Sequence, residues 1–399
     1  MLLAHTGRLG RRMDELGLDG LVATTPENIH YLTGVSSVSL EIFPYTGSAF
    51  AVVTRDRLDH PHLISSRCDL DQALDAGAGL DGAMGFGRFF REPPEHPGDL
   101  SGREQRLREW WGDDAPDTAA DALAETLKRA GLASARIGVD EDAARPGLYA
   151  ALAKALPGVQ VRPAAAVLRW TRKAKTGPEL ARIAAAAAVA EQGIRAVAGI
   201  AAPGVAERDL VREFERTVAA AGGRPKFSHI KIGSAAVTGQ TRPADTPLRR
   251  GDAVWFDVGC VVDGYWADIA RVLTLGPPAD KVARYYAAML AGEDRALAEA
   301  HPGMTGGELF DRTVAGVRAA GVPHYRRNHV GHGIGVEVYD RVLIAEGNDD
   351  PLEAGTVVNI ETPYYEFGFG AVQVEDPFVV RHDRNELLTT LGRDLAVID

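Results

Sequence analysis

Five side chains in this sequence stand where they cost free energy unless something positive joins them. Asp257 lies in the apolar run AVWFDVGCVV. Asp268 follows in GYWADIARVLT, with Asp263-Gly264 between the two runs. An Asp-Gly pair between alternating apolar residues signals a tight hairpin. That turn sets position 268 opposite position 259. Because strand side chains alternate, Asp257 and Asp268 then share one face as diagonal neighbours. Two carboxylates converging on an apolar strand are unfavourable unless a cation lies between them. Three later residues stand in similar settings: His332 between glycines in NHVGHGIGVEV, Glu361 at the end of TVVNIE, and Glu375 at the end of AVQVE. A loop centred on Gly368 pairs position 361 with position 375. Four carboxylates and one imidazole suit two divalent ions about 3.5–4 Å apart, and Mn, Fe, Co or Zn would match these ligands. Taken singly, each acid reads first as a solvated or capping group and His332 first as structural, and only the spacing of all five brings the metal reading level with these.

The elements that must carry these residues follow from periodicity. A chain of 399 residues is long for one core, and two domains are expected, 1–165 and 166–399. The first half alternates helix and strand: a helix over Leu9 to Leu16, a strand at Gly20 to Ala23, a turn and helix start over Thr24 to Gly34, and a strand over Ser48 to Thr54. A helix over Thr118 to Gly131, a strand at Arg136 to Asp140 and a helix over Leu148 to Leu156 follow. This is the pattern of a small α/β domain. Gly87 to Asp117, polar and Pro-rich, reads as a surface loop. The second half opens with an Ala-rich helix over Pro178 to Ile200, Pro178 being tolerated in a first turn, and a second helix over Val205 to Ala221. Helices over Asp280 to Ala300 and Thr305 to Ala320 follow the hairpin, and the last hundred residues read as strand and turn.

Composition narrows the function classes. A hydrophobic fraction of 45% and a charged fraction of 25% are those of an ordinary globular protein. No apolar run reads as a membrane span, and the N-terminus lacks the apolar core of a signal peptide, so a cytoplasmic protein is expected. A net charge of −11 without a basic patch argues against nucleic acid or an anionic membrane as partner. Cys68 and Cys260 sit in no metal or redox spacing and fit a reducing compartment.

With these residues in hand, the C-terminal part resembles the pita-bread-fold metallopeptidases, in the aminopeptidase P, prolidase and creatinase branch. FDVGCVVDGYWADIAR carries two aspartates at the family separation, GHGIGVEV the histidine, and NIETPYY and QVEDP the two glutamates. LGLDGLVATTPENIHYLTG resembles the creatinase-type domain that precedes the catalytic domain. The resemblance implies an α/β N-terminal domain ahead of an α+β pita-bread catalytic domain. It implies two divalent metal ions, manganese first, held by Asp257, Asp268, His332, Glu361 and Glu375. Asp268 and Glu375 would bridge, a hydroxide between the ions would attack a carbonyl carbon, and Glu361 would take and return the proton. Tyr365 matches a family tyrosine near the substrate, and a packed strand aromatic is the equal alternative. The family is usually dimeric, so a homodimer is expected, with the loop Glu92 to Pro97 either reaching a partner's site or lying on the surface.

Several positions depart from the family. Gln240 and Tyr339 stand where the peptidases usually have histidines, Gln373 where they have arginine, and Asn328, with His329 beside it, where another histidine is usual. A glutamine or tyrosine can donate a hydrogen bond to an oxyanion, but glutamine cannot shuttle a proton. The expected function is therefore a metal-dependent hydrolase of a C–N amide bond in a short peptide or small molecule. It is of Xaa-Pro dipeptidase or aminopeptidase type, with a rebuilt substrate wall that also fits a specialised non-peptide amide. A metal-dependent lyase using Tyr339 or Tyr365, and a non-catalytic binding protein on the same fold, are the alternatives.

Overall fold

The computed structural model describes residues 3–92 and 94–399, and Pro93 of the Glu92 to Pro97 loop lies outside them. The chain forms two compact units, one ending at Arg172 and one running from Lys173 to Asp399. The division falls near the end of helix Ala165–Lys173, where the sequence boundary of 165/166 stands at its start.

The first unit holds a six-stranded mixed sheet with helices around it. Its strands are β1 (Gly20–Ala23), β2 (Phe50–Thr54), β3 (His62–Ser66), β4 (Gly82–Phe86), β5 (Arg136–Val139) and β6 (Gln160–Pro163), in spatial order β4-β3-β2-β1-β5-β6. The helices are α1 (Thr6–Leu16), α2 (Pro26–Thr33), α3 (Val38–Ile42), α4 (Gly102–Trp111), α5 (Ala119–Arg129), α6 (Leu148–Ala155) and α7 (Ala165–Lys173). Local signals start and stop them. Thr25 caps α2 by accepting from the Asn28 amide, Pro26 takes the first turn, and Gly34 ends it with φ of 74°. On α5, Leu123 and Leu127 join Val22, Val52 and Ile137 in the core. Helix α4 corrects the reading of Gly87 to Asp117 as loop. A capping box between Ser101 and Glu104 starts it, but none of its residues is buried, so no apolar stripe marked it.

The second unit is built on a nine-stranded sheet. Its helices are α8 (Gly177–Ile200), α9 (Glu207–Ala220), α10 (Asp280–Glu299) and α11 (Gly306–Ala319). Its strands are β7 (Arg224–Ile232), β8 (Ala253–Val262), β9 (Tyr265–Leu275), β10 (His329–Gly333), β11 (Asp340–Ala345), β12 (Val357–Glu361), β15 (Glu375–Val379), β16 (Glu386–Leu387) and β17 (Ala396–Ile398). A separate small ribbon of β13 (Tyr364–Glu366) and β14 (Gly370–Val372) fills the loop after β12. The main order is β11-β10-β12-β15-β9-β8-β7, with β16 beside β15 and β17 beside β9. Helices α8 and α9 cover Val254, Phe256 and Val258 of β8 and Ile269 of β9, while α10 and α11 cover Val330, Val358, Ile360 and Phe378. Fully burying each such side chain stabilises by about 1.5–3 kcal/mol.

Helix α8 is, by length and composition alone, long and apolar enough to cross a membrane, which corrects the expectation that no apolar run reads as a span. Half of that stretch is buried in the unit, and Ala186, Ala190, Ile194 and Val197 pack on α9 and the β8–β9 hairpin. Cys260 is buried against the same helices, burial pushes its thiol up to about 12, and it forms no disulfide with exposed Cys68.

Candidate metal centre

The β8–β9 hairpin turns at Asp263 and Gly264, whose φ values of 47° and 81° are those of a two-residue turn matched to strand twist. Position 259 pairs with Asp268 and Asp257 with Ala270, so both aspartates leave the face opposite Phe256 and Val258. Ala270 also pairs with Glu375, and Glu375 pairs with Glu361 across β12 and β15. His332 on β10 pairs with Asn359 of β12. Five adjacent strands, β10-β12-β15-β9-β8, thus contribute one candidate ligand each. Gly333 permits this packing. A Cβ there would lie 2.1 Å from the Arg341 carbonyl oxygen, and the pairing of β10 with β11 shifts register at this point.

Asp268, His332 and Glu375 each bring a ligand atom within 4.8 Å of the others, and all three are buried. His332 Nε2 lies 3.7 Å from Asp268 Oδ2 and 3.9 Å from Glu375 Oε1, too far for hydrogen bonds. Both His332 Nε2 and Asp268 Oδ1 are buried with no partner. The His332 Nδ1–H donates to the Gly333 carbonyl at 3.0 Å, which leaves the Nε2 lone pair aimed at the carboxylates. Asp257 and Glu361 stand beside this triad and line an adjoining cavity of about 640 Å³.

The electrostatics are those of a site suited to a cation. Loss of water, then the charge of Glu361, pushes Asp257 up to about 7. Burial, then Asp257, raises Asp268 well above the carboxylate range, and burial, then Asp268, does the same to Glu375. Glu361 differs. Burial raises it, but the His329 hydrogen bond and the His332, His329 and Arg327 charges outweigh this and hold it low. Orphaned buried donors and carboxylates that hold one another up fit a divalent metal.

Around this centre the structure sorts the remaining candidates. Tyr339 and Tyr365 line the cavity and are partly exposed, and Gln240 lies exposed on its rim. Gln373 is buried and fully engaged. Its Oε1 accepts from Trp255 Nε1 at 3.1 Å and from the Tyr365 hydroxyl at 3.3 Å, and its Nε2 donates to Glu375 Oε2 at 2.9 Å. Asn359 Nδ2 donates to the other oxygen of Glu375 at 2.6 Å, a contact that no sequence pattern announces. The strand expected over AVQVE is broken, since β14 ends at Val372 and β15 begins at Glu375.

From sequence, His329, His229 and His324 each fit a pocket or a structural role. His329 enters the site: its Nε2–H reaches Glu361 Oε1 at 2.9 Å and the Tyr339 hydroxyl at 3.1 Å. Asn328 is exposed instead. The irregular pairing between His329 and His332 turns His329 inward, and counting residues from His332 could not reveal that. His324 bonds the Tyr364 hydroxyl, and His229 stacks on Phe227 beside the Asp257 strand. Arg327, also on the cavity wall, carries no motif that would single it out in the sequence.

Comparison with known proteins agrees with this geometry. The profile of metallopeptidase family M24 matches residues 181–382, and that of the creatinase/prolidase N-terminal domain matches 6–81 and 98–174. An uncharacterised peptidase of Bacillus subtilis is 25% identical over 394 residues, 98% of this chain and 99% of its own. An Xaa-Pro dipeptidase of Lactobacillus delbrueckii subsp. lactis is 32% identical over 198 residues, 49% of this chain and 54% of its own. The solved structure of an Xaa-Pro dipeptidase from Bacillus anthracis superposes with a TM-score of 0.76 at 22% identity, covering 98% of this chain and 99% of the other. With that two-part match over a carboxylate and histidine centre, the chain belongs to metallopeptidase family M24 and carries a creatinase/prolidase N-terminal domain ahead of its catalytic unit.

Proposed function

We propose that this protein hydrolyses the C–N amide bond of a short Xaa-Pro-type substrate, using two divalent ions, manganese first, held by Asp257, Asp268, His332, Glu361 and Glu375. The observation that carries this reading is the set of five donors on five adjacent strands, with His332 Nε2 and Asp268 Oδ1 left unpartnered in the interior. When bound, such ions supply a Lewis acid for the scissile carbonyl and a water acidic enough to serve as nucleophile near neutral pH.

The chain's own residues then position and move protons. Glu361, held low by His329, accepts a proton from water and returns it to the leaving amine. The Tyr339 oxygen accepts from His329, which leaves the phenolic proton free to donate to the carbonyl oxygen as charge develops there. The Gln240 side chain offers a second donor at the rim. Gln373 and Asn359 fix the rotamer of Glu375.

The lyase alternative asks a tyrosine to act as base. Loss of water around both phenols, then Glu361 for Tyr339 and Asp257 for Tyr365, raises their pKa values above the ordinary tyrosine range, which disfavours that role. A cytoplasmic homodimer completes the proposal.

The test is purified protein reconstituted with Mn²⁺ or Co²⁺ and assayed on a panel of Xaa-Pro dipeptides and Xaa-Pro tripeptides. Release of the N-terminal residue, with one solvent oxygen in its new carboxylate, is the expected result. Metal-replete protein that turns over none of them would sink the peptidase reading. An alkene product without solvent oxygen would favour the lyase, and less than one equivalent of metal would favour a binding protein.

A further inference from the structure

The segment that carries Gln240 is exposed at every residue from 240 to 247, yet two buried charges hold it. Lys231 on β7 is 2% exposed and Glu207, the first residue of α9, is 1% exposed. Lys231 Nζ donates to Glu207 Oε1 at 2.9 Å and to the Arg242 carbonyl at 3.2 Å. Glu207 Oε1 also accepts from the Ala244 amide at 2.9 Å, and its Oε2 accepts from the Ile232 amide at 3.2 Å. The pair therefore grips the chain just past Gln240. On the near side, the Thr241 amide and hydroxyl both donate to the Thr238 carbonyl, at 3.0 and 2.9 Å. Gly239 lies so close to Trp255 that a Cβ there would stand 2.7 Å from its ring. Gln240 is thus fixed between two anchors. Register sets the lysine on the cavity side of the sheet: Lys231 pairs with Trp255 and His229 with Asp257, and both Trp255 and Asp257 line the cavity. Its ammonium is nonetheless spent on Glu207 and the loop.

We infer that Lys231 and Glu207 are positioning residues for Gln240, fixing the rim so that its amide donor stands at the cavity before substrate arrives. The inference rests on the reading of Gln240 as a donor to the reacting carbonyl, and adds the device that holds it. A buried ion pair gives little net stability, because the loss of water offsets the attraction. A pair that spends its ammonium and a carboxylate oxygen on one exposed segment therefore serves to place that segment. The exposed Arg208–Asp245 bridge on the same segment contributes little, as solvent screens it. Without a buried anchor, an exposed segment with few apolar contacts opens at small cost. A donor already in place needs no reorganisation as charge develops on the carbonyl oxygen.

The test uses full-length, Mn²⁺-loaded protein. In K231M/E207Q both charges leave together, so neither is left buried alone. The new amide oxygen still accepts from the buried Ile232 amide, while the exposed Ala244 amide turns to water. Hydrogen exchange across 240–247, read by mass spectrometry, should become about ten- to a hundredfold faster, the effect of losing a bond to a charged acceptor. Exchange in β8 and β9 and metal content should not change. On an Xaa-Pro dipeptide kcat should fall about tenfold or more with KM little altered, as for a misplaced donor used only in the transition state. In a Q240A background the same two changes should cause no further fall. A244P, at an exposed residue, removes the loop's donor to Glu207 and leaves the buried pair in place, and it should shift exchange and kcat in the same direction even where the double variant does not fold. Unchanged exchange across 240–247 in both variants would overturn the inference whether or not any dipeptide is turned over, so its failure is distinct from that of the peptidase reading. Faster exchange with kcat unaltered would overturn it, since Gln240 would need no holding. A fall in kcat as large in Q240A as in the parent would also overturn it, because the pair would then act through another group.

Discussion

The phenol ring of Tyr339 lies flat on the imidazole of His332, with ring centroids 3.8 Å apart and planes 17° from parallel. The same tyrosine meets His329 through its hydroxyl, so one side chain touches both histidines of β10. Ring and hydroxyl can be separated by substitution. Y339F keeps the stack and should retain full metal content while kcat falls about ten- to a hundredfold, the effect of losing one oxyanion donor. Y339A also frees the His332 ring, so metal affinity should fall as well. Metal content by elemental analysis beside steady-state kinetics separates the two. Equal metal loss in both variants would count against a role for the hydroxyl.

Asp268 should behave in opposite ways with and without metal. In the metal-free protein, ionising this buried carboxyl among others of like charge is unfavourable, and burial, then Asp257, raises it well above the carboxylate range. D268N removes the charge at nearly constant volume, so the metal-free variant should be more stable than wild type by about 1–3 kcal/mol. The same change should weaken metal binding and abolish turnover. Chemical denaturation after chelation reads the first effect, and a metal titration the second. A D268N protein less stable than wild type without metal would contradict the electrostatic account of the centre.

The pH dependence of the metal-free fold follows from its raised carboxyls, Asp257 and Glu179 among them. Asp257 is pushed up to about 7 by loss of water and by Glu361, and burial, opposed by the Thr176 amide, pushes Glu179 up to about 7. In the unfolded chain such groups titrate near 4. The native state therefore binds protons more tightly, and the metal-free protein should gain stability as pH falls from about 8 towards about 5. Below about 4 both states are protonated and this contribution stops growing. D257N should flatten part of the slope. Metal-saturated protein should show the reverse trend, because ligands must lose protons to bind. Thermal melts in chelator across this range provide the check, and a flat profile would argue against the raised carboxyls.

Gln373 is expected to act on the metal through its neighbours. Q373L removes the amide that donates to Glu375 and accepts from Trp255 and Tyr365. Loss of such outer support typically weakens metal affinity about ten- to a hundredfold. The fold should persist, as the change is close to isosteric. Unaltered metal affinity in Q373L would mean that Asn359 alone fixes Glu375.

Gly333 sets the approach of β10 to β11. A methyl group at this position would stand 2.1 Å from the Arg341 carbonyl oxygen, a backbone atom that cannot swing aside. G333A should therefore destabilise the protein by more than about 3 kcal/mol. Denaturant unfolding of metal-free G333A is the measurement, and a change under about 1 kcal/mol would show that the strands can part without loss.

Much of the centre was legible in sequence because its signals are local. Asp263-Gly264 declares its turn, the alternation around Asp257 declares a face, and counting across the turn sets Asp268 opposite position 259, as the sheet has it. The Glu361 and Glu375 pairing was legible in the same way, from a loop centred on Gly368. Helix α4 was not, because a helix that buries none of its side chains carries no apolar period. The edge strand β7 was missed because its outer half, RPKFSH, mixes charge and aromatic residues without strict alternation.

What the sequence by itself determined was the set of five ligand candidates, the two hairpin registers that pair four of them, and the family to which they point. What only the tertiary structure decided was how strands distant in the chain come together. It set β10 beside β12, turned His329 rather than Asn328 towards Glu361, laid Tyr339 on His332, and spent Gln373 on Glu375 while leaving the Arg327 donors unused. The physical reason is that register within a hairpin follows from its turn, whereas register between distant strands, and the rotamers above them, follows from packing and from the pairing of buried polar groups, which no local pattern records.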